Sequence, residues 1–295
     1  MGEHPSVEED PMSDGYQAWM PPGHFYSPLP DLDAVRRRAD RIFSADSTEI
    51  PGVEVHLDEQ LHLAEEFLAH YRDDYFPEVA SPGRRYFWRN DYFPFGDAFY
   101  LDRFLRDRKP RRVVEVGSGF SSAVMLDVCT DLRAEGLDCP RLDFVEPNPE
   151  RLKGLLREGD DSYCAIWEQE VQDMPLELFE SLEAGDLLFI DSSHVIKTGS
   201  DLWFLFFHAL PRLKPGVFLF LHDITWPMEY PQVWVEEGRS WNEIYLLRAF
   251  LQYNESFAMR WFPGLALGVQ VERIRQDAPM LDEHGGSGIW IERVK

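Results

Sequence analysis

From Arg111 onward, short apolar runs alternate with stretches of helical periodicity, and this alternation constrains the fold more than any other feature. The runs that read as buried strands are Val113–Val116, Leu142–Val145, Leu187–Ile190 and Val217–Leu221. The helix candidates between and around them lie at residues 120–135, 148–157, 175–182 and 199–212. Strands alternating with helices predict an α/β fold, a doubly wound, mainly parallel sheet with helices on both faces.

The regions on either side of this alternation have a different pattern. Residues 257–262 and 288–294 read as two strands with no helix between them, and we expect them to pair antiparallel at the sheet edge. Before the sheet, apolar residues at helical spacing predict amphipathic helices over 31–45 and 57–75. Residues 1–30 have no apolar period and read as a flexible extension, although its aromatic residues suggest that it folds back as a lid.

The charge balance narrows the choice of partners. The chain has 53 acidic and 29 basic residues, a net charge of −24, which repels nucleic acid and favours a cationic small molecule or a divalent metal. No apolar run is long enough to span a membrane and the first residues do not resemble an export signal, so we expect a cytoplasmic protein. Cys129, Cys139 and Cys164 lack a C-x-x-C spacing and are expected to be reduced.

Acidic and glycine residues mark the carboxyl ends of the first two strands, where ligands bind in doubly wound sheets. Gly117 and Gly119 permit a tight turn, but Ser122 stands where a dinucleotide-binding loop carries its third glycine. Glu115 opposes a pyrophosphate and suits a cationic ligand, while Glu146 is placed to accept both hydroxyls of a ribose. Either acid alone is as well explained as a solvated strand-end carboxylate, but together they favour a nucleoside ligand.

At these positions the chain resembles the class I S-adenosylmethionine-dependent methyltransferases. Glu115-x-Gly117-x-Gly119 is similar to their first motif, Glu146 to the ribose-binding acid, and Val171-Gln172-Asp173 to the segment that flanks adenine. The resemblance covers about residues 93–295 and is closest to the metal-dependent small-molecule O-methyltransferases. It implies a seven-stranded Rossmann-like sheet, with residues 1–30 as an extension, 31–92 as a helical cap and 93–295 as the S-adenosylmethionine-binding domain.

The resemblance also implies which residues contact the cofactor. Asn90, Tyr92 and Asp97 are expected near its methionine end. The expected cofactor-binding residues are Glu115, Gly117, Ser118, Gly119, Ser121, Ser122, Glu146, Val171, Gln172 and Asp191.

Acidic residues and a histidine follow the fourth and fifth strands and predict a divalent-metal site. Asp191, His222 and Asp223 come directly after neighbouring strands, so their side chains can converge. Metal-dependent relatives carry an oxygen ligand where this chain has His222, which leaves Mg²⁺ open beside Mn²⁺, Fe²⁺, Co²⁺ or Zn²⁺. Taken singly, each residue is better explained as a helix cap or a packed histidine.

Two residues of the loop after Asp191 are candidate general bases. These are His194 and Lys197, and we prefer His194, either as the base or as an additional metal ligand. The reaction implied is methyl transfer to a hydroxyl of a small molecule, a natural product or a sugar-like compound, with aromatic segments at 16–26, 86–93 and 226–231 shielding it from water.

Other readings stay open at this stage. The chain can be a nucleoside-binding scaffold, or can use its metal for other chemistry such as hydroxylation. An NAD-dependent oxidoreductase is the weaker enzyme reading because of Ser122 and Glu115. The apolar spacing within 234–253 predicts a helix that covers the sheet or joins a second copy in a homo-oligomer.

Overall fold

The computed structural model describes residues 18–44 and 47–295 and is built around a seven-stranded sheet. The strand order is β3-β2-β1-β4-β5-β7-β6. The strands are β1 (Arg112–Val116), β2 (Arg141–Val145), β3 (Cys164–Trp167), β4 (Leu187–Ile190), β5 (Phe218–Leu221), β6 (Phe257–Trp261) and β7 (Ile289–Arg293). Strands β1 to β5 are parallel, and β7 pairs antiparallel with β5 and with β6. The structure confirms the predicted fold class and the antiparallel strand pair.

The apolar strands bury both faces of the sheet. One layer of core packs around β4 and β5 with Leu188, Leu219 and Ile244, and the other packs under α4 and α5 with Phe99, Phe144 and Phe189. The chain reverses its direction of travel along the sheet between β1 and β4, which are neighbours. A cleft therefore opens at the carboxyl ends of these two strands.

The helices surround the sheet and vary in length. They are α1 (Leu32–Arg36), α2 (Ala39–Ile42), α3 (Leu57–His70), α4 (Phe95–Arg108), α5 (Phe120–Ala134), α6 (Glu150–Leu155), α7 (Glu177–Glu180), α8 (Asp201–Phe204), α9 (Gln232–Glu236), α10 (Glu243–Leu251), α11 (Pro263–Val269), α12 (Val271–Asp277) and α13 (Pro279–Glu283). A π-helical turn and a 3₁₀ turn continue α8 to Arg212. Among the described residues, no helix is long and apolar enough to cross a membrane.

Three expectations about the helices were wrong. The helix predicted over 31–45 is two short helices with no buried residue, so it lacks the packed face that stabilises a longer helix. The helix predicted over 57–75 ends at His70, because Tyr71 is extended and its hydroxyl accepts a hydrogen bond from the Met280 amide. The segment between β6 and β7 is helical: α11, α12 and α13 fill it, and prolines begin two of them.

The N-terminal segment differs from the expected lid in its described part. Tyr16 lies outside the described residues. Trp19, Phe25 and Tyr26 are 77%, 81% and 61% exposed, and their rings contact one another or His24. The aromatic residues of 18–30 therefore do not cover the sheet domain in this structure.

Other predictions about burial hold. Helix α10 buries Ile244, Leu247 and Leu251 against the sheet. The three cysteines are free thiols, with Cys129 and Cys164 buried and Cys139 half-buried.

Candidate active site

A cavity of about 540 Å³ lies at the carboxyl ends of β1, β2 and β4. Its lining includes six of the predicted site residues, namely Gly117, Glu146, Val171, Gln172, Asp191 and Lys197. Val171 and Gln172 belong to a 3₁₀ turn after β3. Four consecutive strands thus contribute to one concave surface, which is the usual ligand position in a doubly wound sheet.

Gly117 lines this cavity at a position where no residue with a side chain fits. Its φ is +80°, and a Cβ atom at this position would lie 1.7 Å from the carbonyl oxygen of Asp191. The Gly117 amide donates to Val145, and the Asp191 amide donates to Val116. The missing side chain lets the turn after β1 contact the end of β4, so this glycine is required by the protein's own packing.

Glu115 does not line the cavity, which differs from the expected contact with a ligand. Its side chain is fully buried, and its two carboxylate oxygens accept hydrogen bonds from Ser121 and Ser122, both at 2.5 Å. Burial raises the pKa of Glu115 to about 8, although the two hydroxyls lower it. Ser122 also accepts a hydrogen bond from the Gly119 amide. The three side chains together fix the turn that leads into α5.

Glu146 lies at the cavity wall, at the end of β2. One of its carboxylate oxygens accepts from the Ser118 amide at 3.1 Å and the other from the Asn148 amide at 2.8 Å. A carboxylate oxygen has two acceptor positions, so each retains one for a ligand. Glu146 therefore connects the loops after β1 and β2 and can also accept hydrogen bonds from a ligand in the cavity.

Beside the cavity, two aspartates and two histidines form a compact cluster, which we call the His–Asp cluster. It consists of Asp191, His194, His222 and Asp223. Asp191 Oδ1 lies 3.4 Å from His194 Nε2 and 3.5 Å from His222 Nδ1. Asp223 lies 3.6 Å from each of the same two nitrogens. Asp191 belongs to both the cluster and the cavity wall.

The distances within the cluster are long for hydrogen bonds, which for N–H···O pairs measure about 2.7–3.2 Å. They match the separation of ligand atoms around one ion: with bonds of about 2.0–2.1 Å, tetrahedral ligands lie roughly 3.4 Å apart. His222 Nδ1 is buried and has no hydrogen-bond partner within the described structure. One nitrogen of His194 and a carboxylate oxygen from each aspartate lie within 4.8 Å of one another. These three residues therefore fit a divalent cation, and His222 Nδ1 lies beside them, 3.5 Å from Asp191 and 3.6 Å from Asp223.

Each histidine is held from behind by a buried carboxylate. His222 Nε2 lies 3.1 Å from Asp97 Oδ2, and His194 Nδ1 lies 2.9 Å from Glu243 Oε2. Among the described residues, no lysine or arginine forms an ion pair with these two acids or with Asp191 and Asp223. Four carboxylates surround two imidazoles, so the site attracts cations.

The pKa shifts follow from this arrangement. Burial by itself lowers the pKa of His194, but the neighbouring Asp191 and Glu243 carboxylates outweigh it and raise the pKa to about 10. Burial likewise lowers the pKa of His222, and the neighbouring Asp191 and Asp97 carboxylates raise it well above its usual value. Burial raises the pKa of the Asp191 carboxyl, yet the two imidazoles hold it well below its usual value. The carboxylates thus favour positive charge at this site, whether on protonated imidazoles or on a bound cation.

Two members of the cluster have unusual backbone conformations. His194 has φ of +58° and Asp223 has φ of +56°, a left-handed region that non-glycine residues rarely adopt. Asp223 is held further by Ser287, whose hydroxyl donates to its carboxylate at 2.9 Å. Such conformations cost roughly 1–3 kcal/mol each and concentrate at functional sites.

Comparisons with known proteins agree with this geometry. Residues 114–224 match a family described as methyltransferase domain. These residues run from β1 to the loop after β5 and include the whole cavity wall and all of the His–Asp cluster. The chain belongs to the class I S-adenosylmethionine-dependent methyltransferase family.

The chain is also similar to an archaeal protein. An uncharacterized protein of Archaeoglobus fulgidus is 36% identical over 170 residues, which cover 55% of this chain and 73% of the archaeal protein.

Two solved structures, both with bound S-adenosylhomocysteine, are more distant. The Podospora anserina methyltransferase PaMTH1 is 16% identical, with coverage of 91% of this chain and 99% of its own and a TM-score of 0.42. A Bacillus cereus O-methyltransferase is 14% identical, with coverage of 89% and 97% and a TM-score of 0.40. At these TM-scores neither likeness bears on the reaction.

Several residues predicted for the methyltransferase site lie elsewhere. Ser118, Gly119, Ser121 and Ser122 shape the turn after β1 and are not among the residues that line the cavity. Lys197 is exposed at the cavity and is not part of the cluster.

The residues expected at the methionine end of the cofactor have other contacts in the structure. Asn90 bonds the backbone of its own loop, and Tyr92 stacks on Phe120 at the surface. Asp97 lies behind His222, with its Oδ2 3.1 Å from His222 Nε2.

Glu243 and Ser287 contact the cluster but were not among the residues predicted for the site. Glu243 is a charged residue at the start of an otherwise apolar helix, and Ser287 lies within the glycine-rich segment His284-Gly285-Gly286-Ser287-Gly288. Both residues lie far along the chain from Asp191, and no local sequence pattern links either of them to the cluster.

Proposed function

We propose that this methyltransferase binds S-adenosylmethionine in the cavity at the ends of β1, β2 and β4. It transfers the methyl group to a hydroxyl oxygen of a small molecule, assisted by a divalent cation at the His–Asp cluster. One observation carries the proposal: Asp191 lines the cavity and also lies within 3.4–3.5 Å of both cluster histidines. A methyl donor in the cavity and an acceptor at the cluster are therefore neighbours.

The cavity wall suits each part of the cofactor. Glu146 retains acceptor positions for the ribose hydroxyls, and Val171 and Gln172 supply an apolar surface and an amide for the adenine. The acidic wall, which also includes Glu170 and Asp201, favours a ligand with a positive sulfonium. These features support S-adenosylmethionine over a dinucleotide with its pyrophosphate.

The His–Asp cluster orients the acceptor. Asp191, His194, His222 and Asp223 would hold the cation, and a bound divalent cation lowers the pKa of a neighbouring hydroxyl. The carboxylates of Asp191 and Asp223 are the nearest acceptors for the hydroxyl proton. In the transfer, the acceptor oxygen forms its bond to the methyl carbon while the carbon–sulfur bond breaks, and the electron pair stays on sulfur as a thioether. Both reacting centres lose charge, so exclusion of water favours the step.

Aromatic side chains pack against the two histidines of the cluster. The Trp241 ring is centred 4.4 Å from that of His194, and Tyr230 lies next to Trp241. The Phe93 ring lies 5.2 Å from that of His222. The substrate we propose is a small natural product or a sugar-like compound that carries hydroxyl groups, and the partly exposed Trp241 ring offers it an apolar surface.

The proposal is tested by calorimetric titration of the full chain with S-adenosylmethionine and, separately, with NAD⁺. We expect binding of S-adenosylmethionine, weakened about tenfold by Glu146→Ala through loss of the ribose hydrogen bonds. Glu150→Ala is the matched control, since Glu150 is an exposed acid four residues further on and is not part of the cavity wall.

Transfer is then measured with a radiolabelled methyl donor and a panel of catechols and sugars. Binding of NAD⁺ in place of S-adenosylmethionine would overturn the proposal, as would equal loss of affinity in both variants.

A further inference from the structure

The two histidines of the His–Asp cluster have the same environment although they lie on different loops. Each has one ring nitrogen toward Asp191 and Asp223 and the other against a buried acid. Asp97, on α4, holds His222, and Glu243, on α10, holds His194. Asp97 is fully buried and Glu243 is 1% exposed. Two separate helices therefore each place a buried carboxylate against one histidine of the cluster.

The two carboxylate–histidine pairs do not contribute obvious stability to the fold, because each buries a charged group. One carboxylate oxygen of Asp97 and one of Glu243 are buried without a hydrogen-bond partner in the described structure. Burying a carboxylate with an unsatisfied oxygen costs free energy, and an apolar residue in its place is often as stable. The contacts that remain are directional: Asp97 also accepts from the Ser287 amide at 2.9 Å, so its position behind His222 is fixed.

A carboxylate behind a histidine has a known physical effect on a metal site. It accepts a hydrogen bond from the N–H of one ring nitrogen, which leaves the lone pair of the other nitrogen for the metal, and it increases the electron donation of the ring. The structure shows this geometry on both rings, and His222 Nδ1 is buried without a partner on the cluster side. Two nitrogen and two oxygen donors suit transition metals, whereas Mg²⁺ requires octahedral oxygen ligands.

We infer that Asp97 and Glu243 are positioning residues that fix His222 and His194 as nitrogen ligands, and that this chain thereby selects a transition metal over Mg²⁺. The inference rests on the cation of the proposed function but not on methyl transfer. It assigns a task to two acids that contact neither the cavity nor the cation.

The test measures metal affinity of the full chain after treatment with a chelator. Zn²⁺ and Co²⁺ are titrated in competition with a chromophoric chelator, and Mg²⁺ by calorimetry. We expect Zn²⁺ and Co²⁺ to bind about 100-fold more tightly than Mg²⁺, or better. Asp97→Asn and Glu243→Gln should each weaken Zn²⁺ binding about 10- to 100-fold and leave Mg²⁺ binding nearly unchanged, so that the ratio of the two falls.

Asp102→Asn is the matched control. Asp102 is a buried acid on the same helix as Asp97, but it bonds Tyr75 and Arg106 and does not contact the cluster. We expect it to lower the thermal midpoint without changing the metal ratio. Equal effects of Asp97→Asn and Asp102→Asn on that ratio would overturn the inference.

A second measurement needs no variant. The electron paramagnetic resonance spectrum of the Cu²⁺-loaded wild-type chain should show hyperfine coupling to two histidine nitrogens. Coupling to none, or tighter binding of Mg²⁺ than of Zn²⁺, would overturn the inference and leave methyl transfer untouched. Selective Zn²⁺ binding without S-adenosylmethionine binding would instead contradict the proposed function and support the inference.

Discussion

Acidic residues lie at the strand ends in both halves of the sheet edge, but the groups next to them differ. In the half formed by β1 and β2, Glu115 and Glu146 accept hydrogen bonds from hydroxyls and backbone amides. In the half formed by β4 and β5, Asp191 and Asp223 face imidazoles at distances too long for good hydrogen bonds. The first pair stabilises loops, whereas the second pair retains its capacity to bind a cation. The partner, and not the acid, decides the role.

The largest effect is expected for Asp223→Ala, a substitution in the β4–β5 half of the sheet edge. Loss of a carboxylate from the β4–β5 half should reduce methyl transfer about 1000-fold, since cation assistance contributes several kcal/mol to such steps. The affinity for S-adenosylmethionine should stay within about threefold of wild type, because Asp223 is not part of the cavity wall. Initial rates and calorimetry measure the two quantities. Glu229→Gln, on the same loop, is the control, and unchanged turnover of Asp223→Ala would remove the cation from the mechanism.

The next change affects the contact between the two halves. Gly117→Ala should lower the free energy of unfolding by about 3 kcal/mol, because the new methyl group would overlap the Asp191 carbonyl oxygen at a positive φ. Urea denaturation measures this loss. Gly154→Ala is the matched control: its Cβ meets no atom within 4 Å in helix α6, so it should stabilise the protein by about 0.5–1 kcal/mol. Similar values for both variants would contradict the close packing described above.

A smaller effect concerns pH and the β1–β2 half. Burial raises the pKa of Glu115 from 4.5 to about 8, so between these values the folded protein holds a proton that the unfolded chain has lost. Stability should therefore fall as the pH rises from 5 to 8, by on the order of 1–3 kcal/mol from this group. Glu115→Gln should flatten that slope. Urea denaturation at several pH values gives the difference between the two proteins, and parallel curves would show that Glu115 stays ionised.

The smallest expected effect separates Lys197 from the His–Asp cluster. Lys197→Met should change both turnover and cofactor affinity by less than about threefold, as is typical of an exposed side chain. His194→Gln, assayed in parallel, should abolish most of the activity. A large loss in Lys197→Met would make the lysine, and not the Asp191 or Asp223 carboxylate, the acceptor of the hydroxyl proton.

The sheet was predictable because its strands are short apolar runs separated by helical stretches. Local patterns failed where distant packing decides the outcome. The apolar spacing of 31–45 is helical, but the two short helices that form there contain no fully buried residue to stabilise a longer one. The helices between β6 and β7 were not predicted, because the strand patterns at both ends of that region are stronger local signals than its two helix-starting prolines. These are Pro263 and Pro279, which begin α11 and α13.

The site was predictable to the extent that it lies at strand ends. Asp191, His222 and Asp223 follow neighbouring strands, so their convergence follows from the topology. Asp97 and Glu243 reach the same place from helices far along the chain, and no local pattern links either acid to a histidine. The burial of Glu115 was equally hidden, because its two serine partners read as members of a ligand-binding loop.

The position of β7 has a consequence for how the cluster is assembled. This strand inserts between β5 and β6, which both precede it in the sequence, and the loop before it delivers Ser287 to Asp97 and Asp223. Because β7 is the last strand to be synthesised, the edge of β5 that it covers has no partner strand in a shorter nascent chain. Such a chain would also lack Ser287, and with it the two hydrogen bonds that fix Asp97 and Asp223.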